Sequence, residues 1–141
     1  MKSLLTITAL LEGFTGLALA VLPSLFVSLL LGTPLTDPGA ILICRLTGGA
    51  LITIAIACWL SRSDTQSSVM VKVMLVYNIF STTLLVYAGL VERIYGLGLW
   101  PAVLLHAILF IWCLSCLRKY GVRSPDPSET KSMPGANKAR H

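Results

Sequence analysis

ILICRLTGGALITIAIACWL, residues 41–60, is apolar almost throughout, yet it carries one permanently charged side chain, Arg45. A helix rising ~1.5 Å per residue needs ~20 apolar residues to cross a ~30 Å hydrocarbon core, so this stretch reads as a membrane span. Comparable runs lie on either side. The spans cover about residues 4–22 with an extension to 31, then 40–60, 69–91 and 101–117. The expected fold is therefore all-α: an integral membrane four-helix bundle over residues 1–118, followed by a disordered basic tail over 119–141.

Composition agrees with that class. Charged residues make up only 12% of the chain, about half the usual share for a soluble domain. Turn chemistry separates the runs: Gly32-Thr33-Pro34 and Asp37-Pro38-Gly39, a polar stretch over residues 61–68, and Gly96 and Gly98 ahead of Trp100-Pro101. No ten-residue alternation of the outer-membrane barrel type is present. Met1-Lys2, an apolar core and Ala18-Leu19-Ala20 resemble a secretory signal cleaved after Ala20. Glu12 interrupts that core and hydrophobicity continues to Leu31, which favours a retained first span. Pro23 favours a break in it, leaving residues 24–31 as a short interfacial or re-entrant helix.

Four spans put both termini on one side. That side holds Lys2, Arg62, Lys72, Arg118, Lys119 and Arg123, against Arg93 alone on the other, where Asp37 and Glu92 also lie. The asymmetry places both termini in the cytoplasm of a cell with an inner membrane. The net charge of +5 is then a topology signal rather than a nucleic-acid footprint, because no basic cluster is interleaved with aromatics.

Each span carries one strongly polar group: Glu12, Arg45, Asn78 and His106. Such residues usually face the bundle and find partners. Thr8, Glu12, Gly16 and Ala20 recur every four residues in the first span, and Arg45, Gly49, Thr53 and Ala57 in the second. Small residues at that spacing let backbones approach, so Glu12 and Arg45 are expected to face each other. With a break at Pro23, Glu12 lies ~15 Å and Arg45 ~8 Å below the outer boundary, a gap an arginine side chain spans. His106 at ~8 Å and Asn78 at ~18 Å complete a polar set in the outer half of the bundle. Its plainer role is to hold helices together; its functional role is to bind a small ligand or a proton, or to support a partner complex.

Four cysteines lie in the spans, two of them as Cys113-Leu114-Ser115-Cys116. A C-x-x-C pair in a four-helix membrane bundle resembles the quinone-linked disulfide-forming enzymes and vitamin K epoxide reductase, which implies a thiol oxidoreductase using Cys113 and Cys116. No relay pair lies in the outer loops, and the pair falls at the cytoplasmic end, where disulfides are disfavoured. Glu12 and the span count resemble the small multidrug transporters, implying proton-coupled export through Glu12; the one-sided basic residues oppose their dual topology. The Gly-containing first span with its embedded acid, and the second span reading R-L-T-G-G-A, resemble small bacterial DoxX-like four-helix membrane proteins over most of residues 1–118. That resemblance implies a membrane partner of redox or quinone-linked systems and transfers no catalytic residue. No phosphate loop, dinucleotide fingerprint or H-E-x-x-H is present. The expectation is a non-enzymatic membrane protein without cofactor or metal, its partners being the lipid bilayer and a membrane protein or a second copy.

Overall fold

The structure is a computed structural model that describes residues 1–63 and 67–120. Five helices and no strand occur among the described residues: α1 (Lys2–Val21), α2 (Pro23–Leu31), α3 (Pro38–Ser61), α4 (Ser67–Leu90) and α5 (Leu99–Tyr120). Four of them, α1, α3, α4 and α5, are long and apolar enough to cross a membrane.

Local chemistry explains where the helices stop. Leu22 leaves the helical region (φ −126°, ψ 54°), and Pro23, which has no N–H to donate, opens α2 at its first turn. Gly32 ends α2 in the left-handed region at φ 81°, its N–H bonding Ser28 O. Asp37 caps α3 by accepting from the Ala40 N–H at 2.7 Å, with Pro38 at the first helical position. Pro101 sits in the first turn of α5. That helix runs through Tyr120, so Arg118 and Lys119 form its last turn, where cations interact favourably with the negative end of the helix dipole. Of the tail expected over 119–141, residues 121–141 lie outside the described residues.

The long helices form two hairpin pairs. Contacts are densest between α1 and α3 and between α4 and α5. At the α1–α3 crossing, a Cβ added to Gly48 would lie 2.6 Å from Gly16 O and 2.7 Å from Ala20 N, so only glycine allows this approach. Gly13 meets Ala55 further along, which makes the pair antiparallel. Across the pairs, the Ser67 hydroxyl reaches the Met1 sulfur and Tyr77 reaches Glu12, so α1 and α4 run parallel. The hairpins meet over Leu4, Leu5, Ala9, Cys58, Val71, Met74, Leu109 and Cys113, all buried. α2 closes one end of the bundle: Leu29 O accepts from the Gly98 N–H at 2.9 Å, tying α2 to the loop before α5.

Candidate functional site

Polar side chains from three helices meet where the hairpins join. Glu12 lies on the buried stripe of α1 between Thr8 and Gly16 and is only 3% exposed. Its Oε2 accepts from the Tyr77 hydroxyl of α4 at 3.1 Å. Next to Tyr77, the fully buried Asn78 donates through Nδ2 to Met74 O at 2.7 Å. This leaves Oδ1 directed at α5, 3.0 Å from His106 Nδ1. The Tyr77 ring meets His106 edge-on, with centroids 5.7 Å apart and an interplanar angle of 74°. The two hydrogen bonds are therefore neighbours in one cluster that links α1, α4 and α5.

The Asn78 contact sets the histidine tautomer. An amide oxygen has no hydrogen to give, so the proton in this bond sits on His106 Nδ1. In neutral imidazole, Nε2 is then the acceptor. His106 also lines a cavity of about 280 Å³ together with Thr15, Leu19, Phe26, Ser81 and Leu85. A second cavity of about 250 Å³ shares Thr15, Phe26, Leu30, Ala102 and Leu105 with it and extends toward Pro101. Phe26 and Leu30 belong to α2, so the break at Leu22 supplies a wall for this space. Thr8 Oγ1, one turn from Glu12, is the buried side-chain polar atom that has no hydrogen-bond partner among the described residues.

Glu12, Asn78 and His106 thus lie in one cluster; Arg45 does not. It is exposed, and the expected ion pair with Glu12 is absent among the described residues. The reason is a one-residue choice between two glycines. The face of α3 that meets α1 runs through Gly48, Leu51, Ala55 and Cys58, whereas Gly49 has nothing within 4 Å of an added Cβ. Four residues before Gly48 comes Cys44, which packs beside Leu19, Val27 and Leu51; four before Gly49 comes Arg45. Because the helices are antiparallel, Glu12 and Arg45 also diverge from the crossing in opposite directions, by about 10 Å in total along the axis. Thr53 shares the outward face and bonds its own helix at Gly49 O, 3.0 Å away. Arg45→Ala is accordingly expected to leave the melting transition in detergent within about 0.5 kcal/mol of wild type, as for an exposed position without partners. A loss several times larger would restore the ion pair.

Tyr77 is the member that the spacing argument missed. A mid-span tyrosine counts as apolar in a hydropathy reading, yet its buried hydroxyl needs a partner. The signal was its adjacency to Asn78. The four cysteines are free thiols: Cys58 and Cys113 are buried in the same apolar cluster, and Cys116 packs against it, half-buried. No group of three or more His, Cys, Asp or Glu side chains that could hold a metal ion occurs among the described residues. The chain matches no protein-family model, no curated protein and no solved structure.

Proposed function

We propose that this chain is a four-span integral protein of the cytoplasmic membrane with both termini inside, and that it acts by binding rather than by catalysis. The ligand is a small, largely apolar molecule bearing a hydroxyl donor, held in the cavity headed by His106. A hydrocarbon surrounding is supported by the outward faces of the long helices, where Phe14 is 77%, Ile43 65% and Val76 66% exposed. In water, apolar surface at that density on every side would drive association. The orientation is supported by the basic residues, since Lys2, Arg62, Lys72, Arg118 and Lys119 all fall at one end of the bundle.

The observation that carries the ligand reading is the fixed histidine at the head of an otherwise apolar space. Asn78 holds Nδ1, which orients the ring and leaves Nε2 as an acceptor. Thr15 and Ser81 add hydroxyls to a lining that is otherwise made of leucine, phenylalanine and alanine. A few placed polar groups in a mainly apolar pocket are the pattern of a small-molecule site. Glu12 and Tyr77 support the ring from behind and need not touch the ligand. The DoxX-like resemblance fits a non-catalytic membrane role of this kind.

A diazirine-bearing octanol tests the proposal in membranes that contain the full chain. Adducts are expected to concentrate on Leu84, Leu85 and Leu105 around the cavity. Removing the acceptor in His106→Leu lowers that labelling by about fivefold, the effect of one net hydrogen bond. Ala102→Trp, which fills the space, abolishes it. Adducts spread evenly over outward residues such as Ile43 and Val76 would overturn the ligand reading and leave the cluster holding the hairpins together for a partner.

A further inference from the structure

A second feature, on the far side of α1 from the His106 cavity, has a shape and charge of its own. Between α1 and α3 runs an outward-facing apolar groove of about 380 Å³. Its floor is Ala9, Gly13 and Ala55, and its walls are Leu10, Ile56 and Trp59, each of which is well exposed at its rim. The floor is low because small residues line it, and Gly13 meets nothing nearer than Ala55 Cβ at 3.6 Å from an added Cβ. From Trp59 to Ile52 the groove extends about 10 Å along α3. A second apolar space beside it shares Ala9, Leu10, Gly13 and Leu17 and adds Phe14.

One end of the groove is positively charged. Arg62 follows Trp59 by three residues and so shares its stripe on α3. Its guanidinium lies 3.6 Å over the Trp59 ring and donates through Nη1 to Trp59 O at 2.9 Å. Lys2, exposed, precedes Ala9 by seven residues and lies on the matching stripe of α1. Counted from the Gly13–Ala55 contact, Lys2 is about 16 Å and Arg62 about 10 Å toward this end, a difference a lysine side chain covers.

We infer that this groove is a binding site for an anionic phospholipid of the leaflet at the α1 N-terminal end: one acyl chain lies over Ala9, Gly13 and Ala55, and the phosphate sits between Arg62 and Lys2. The inference rests on the membrane-spanning reading and on no other part of the proposed function. Charge complementarity selects the occupant. Two cations at the headgroup end of an apolar channel match a chain with an anionic head, and the aromatic Trp59 beneath Arg62 belongs near that depth.

Native mass spectrometry of the purified full chain, with phosphatidylglycerol and phosphatidylcholine of the same acyl chains in competition, tests it. Phosphatidylglycerol adducts are expected to dominate. Arg62→Gln and Lys2→Gln each reduce the preference about fivefold, the effect of one cation near an anionic surface. Gly13→Leu, which fills the groove floor, removes adducts of both lipids while leaving the charge intact. Equal binding of the two lipids by wild type, or a preference unchanged in the double glutamine variant, would overturn the site. So would dimers that vanish in Gly13→Leu while lipid binding persists, because the groove would then belong to a second copy. Alkaline carbonate extraction separates the two levels: a chain released from membranes defeats the spanning reading, whereas a retained chain without lipid preference defeats this inference alone.

Discussion

Gly48→Ile is expected to cost about 3 kcal/mol or more of stability in detergent, the upper range for overpacking, while the same change at Gly49 costs almost nothing. The three atoms nearest to a Cβ added at position 48 are all backbone: Gly16 O at 2.6 Å, Ala20 N at 2.7 Å and Ala20 Cα at 3.2 Å. No rotamer relieves such contacts. The helices must separate, and the packing of Leu19 on Leu51 and Gly13 on Ala55 is lost with them. At Gly49 an added side chain enters open space, and the helix gains by losing a glycine, a change of about 1 kcal/mol in its favour at most. Thermal unfolding followed by the reactivity of the buried Cys58 and Cys113 thiols reads both variants. Equal losses at 48 and 49 would mean that the α1–α3 face is misassigned.

The second large effect is expected at the Asn78–His106 bond. Asn78→Leu strands the His106 Nδ1–H in the bundle, and His106→Leu strands Asn78 Oδ1. Each is expected to cost about 1–3 kcal/mol, the penalty for an unpartnered buried polar group. The double variant removes both needs and should cost less than the two losses added, with a coupling of about 0.5 kcal/mol or more. Additive losses would show that the two side chains do not bond.

These two cases mark how far the sequence could be read. Helix count, loop positions and the break at Pro23 were legible because length, apolarity, proline and glycine are local properties. Glu12, Asn78 and His106 were legible as inward-facing groups because a polar side chain among apolar neighbours must find a partner. The face of α3 was not legible. That helix is apolar on all sides, so its pattern gives no inward direction, and the adjacent glycines 48 and 49 offer two equally plausible small-residue stripes. Choosing Gly49 brought Arg45 to Glu12; the packing uses Gly48 and turns Arg45 outward. Tyr77 escaped for the complementary reason. Its ring satisfies the apolar pattern, and only the geometry shows the hydroxyl on Glu12.

The cluster's central feature is a histidine that Asn78 holds through Nδ1 and that also lines a cavity. With two histidines in the chain, ¹⁵N-histidine NMR of the full protein in nanodiscs reads it directly. The predicted result is one neutral ring protonated at Nδ1 with an unprotonated Nε2, lost in Asn78→Leu and unaffected by Arg45→Ala. A His106 ring protonated at Nε2 in the wild-type protein would contradict the account.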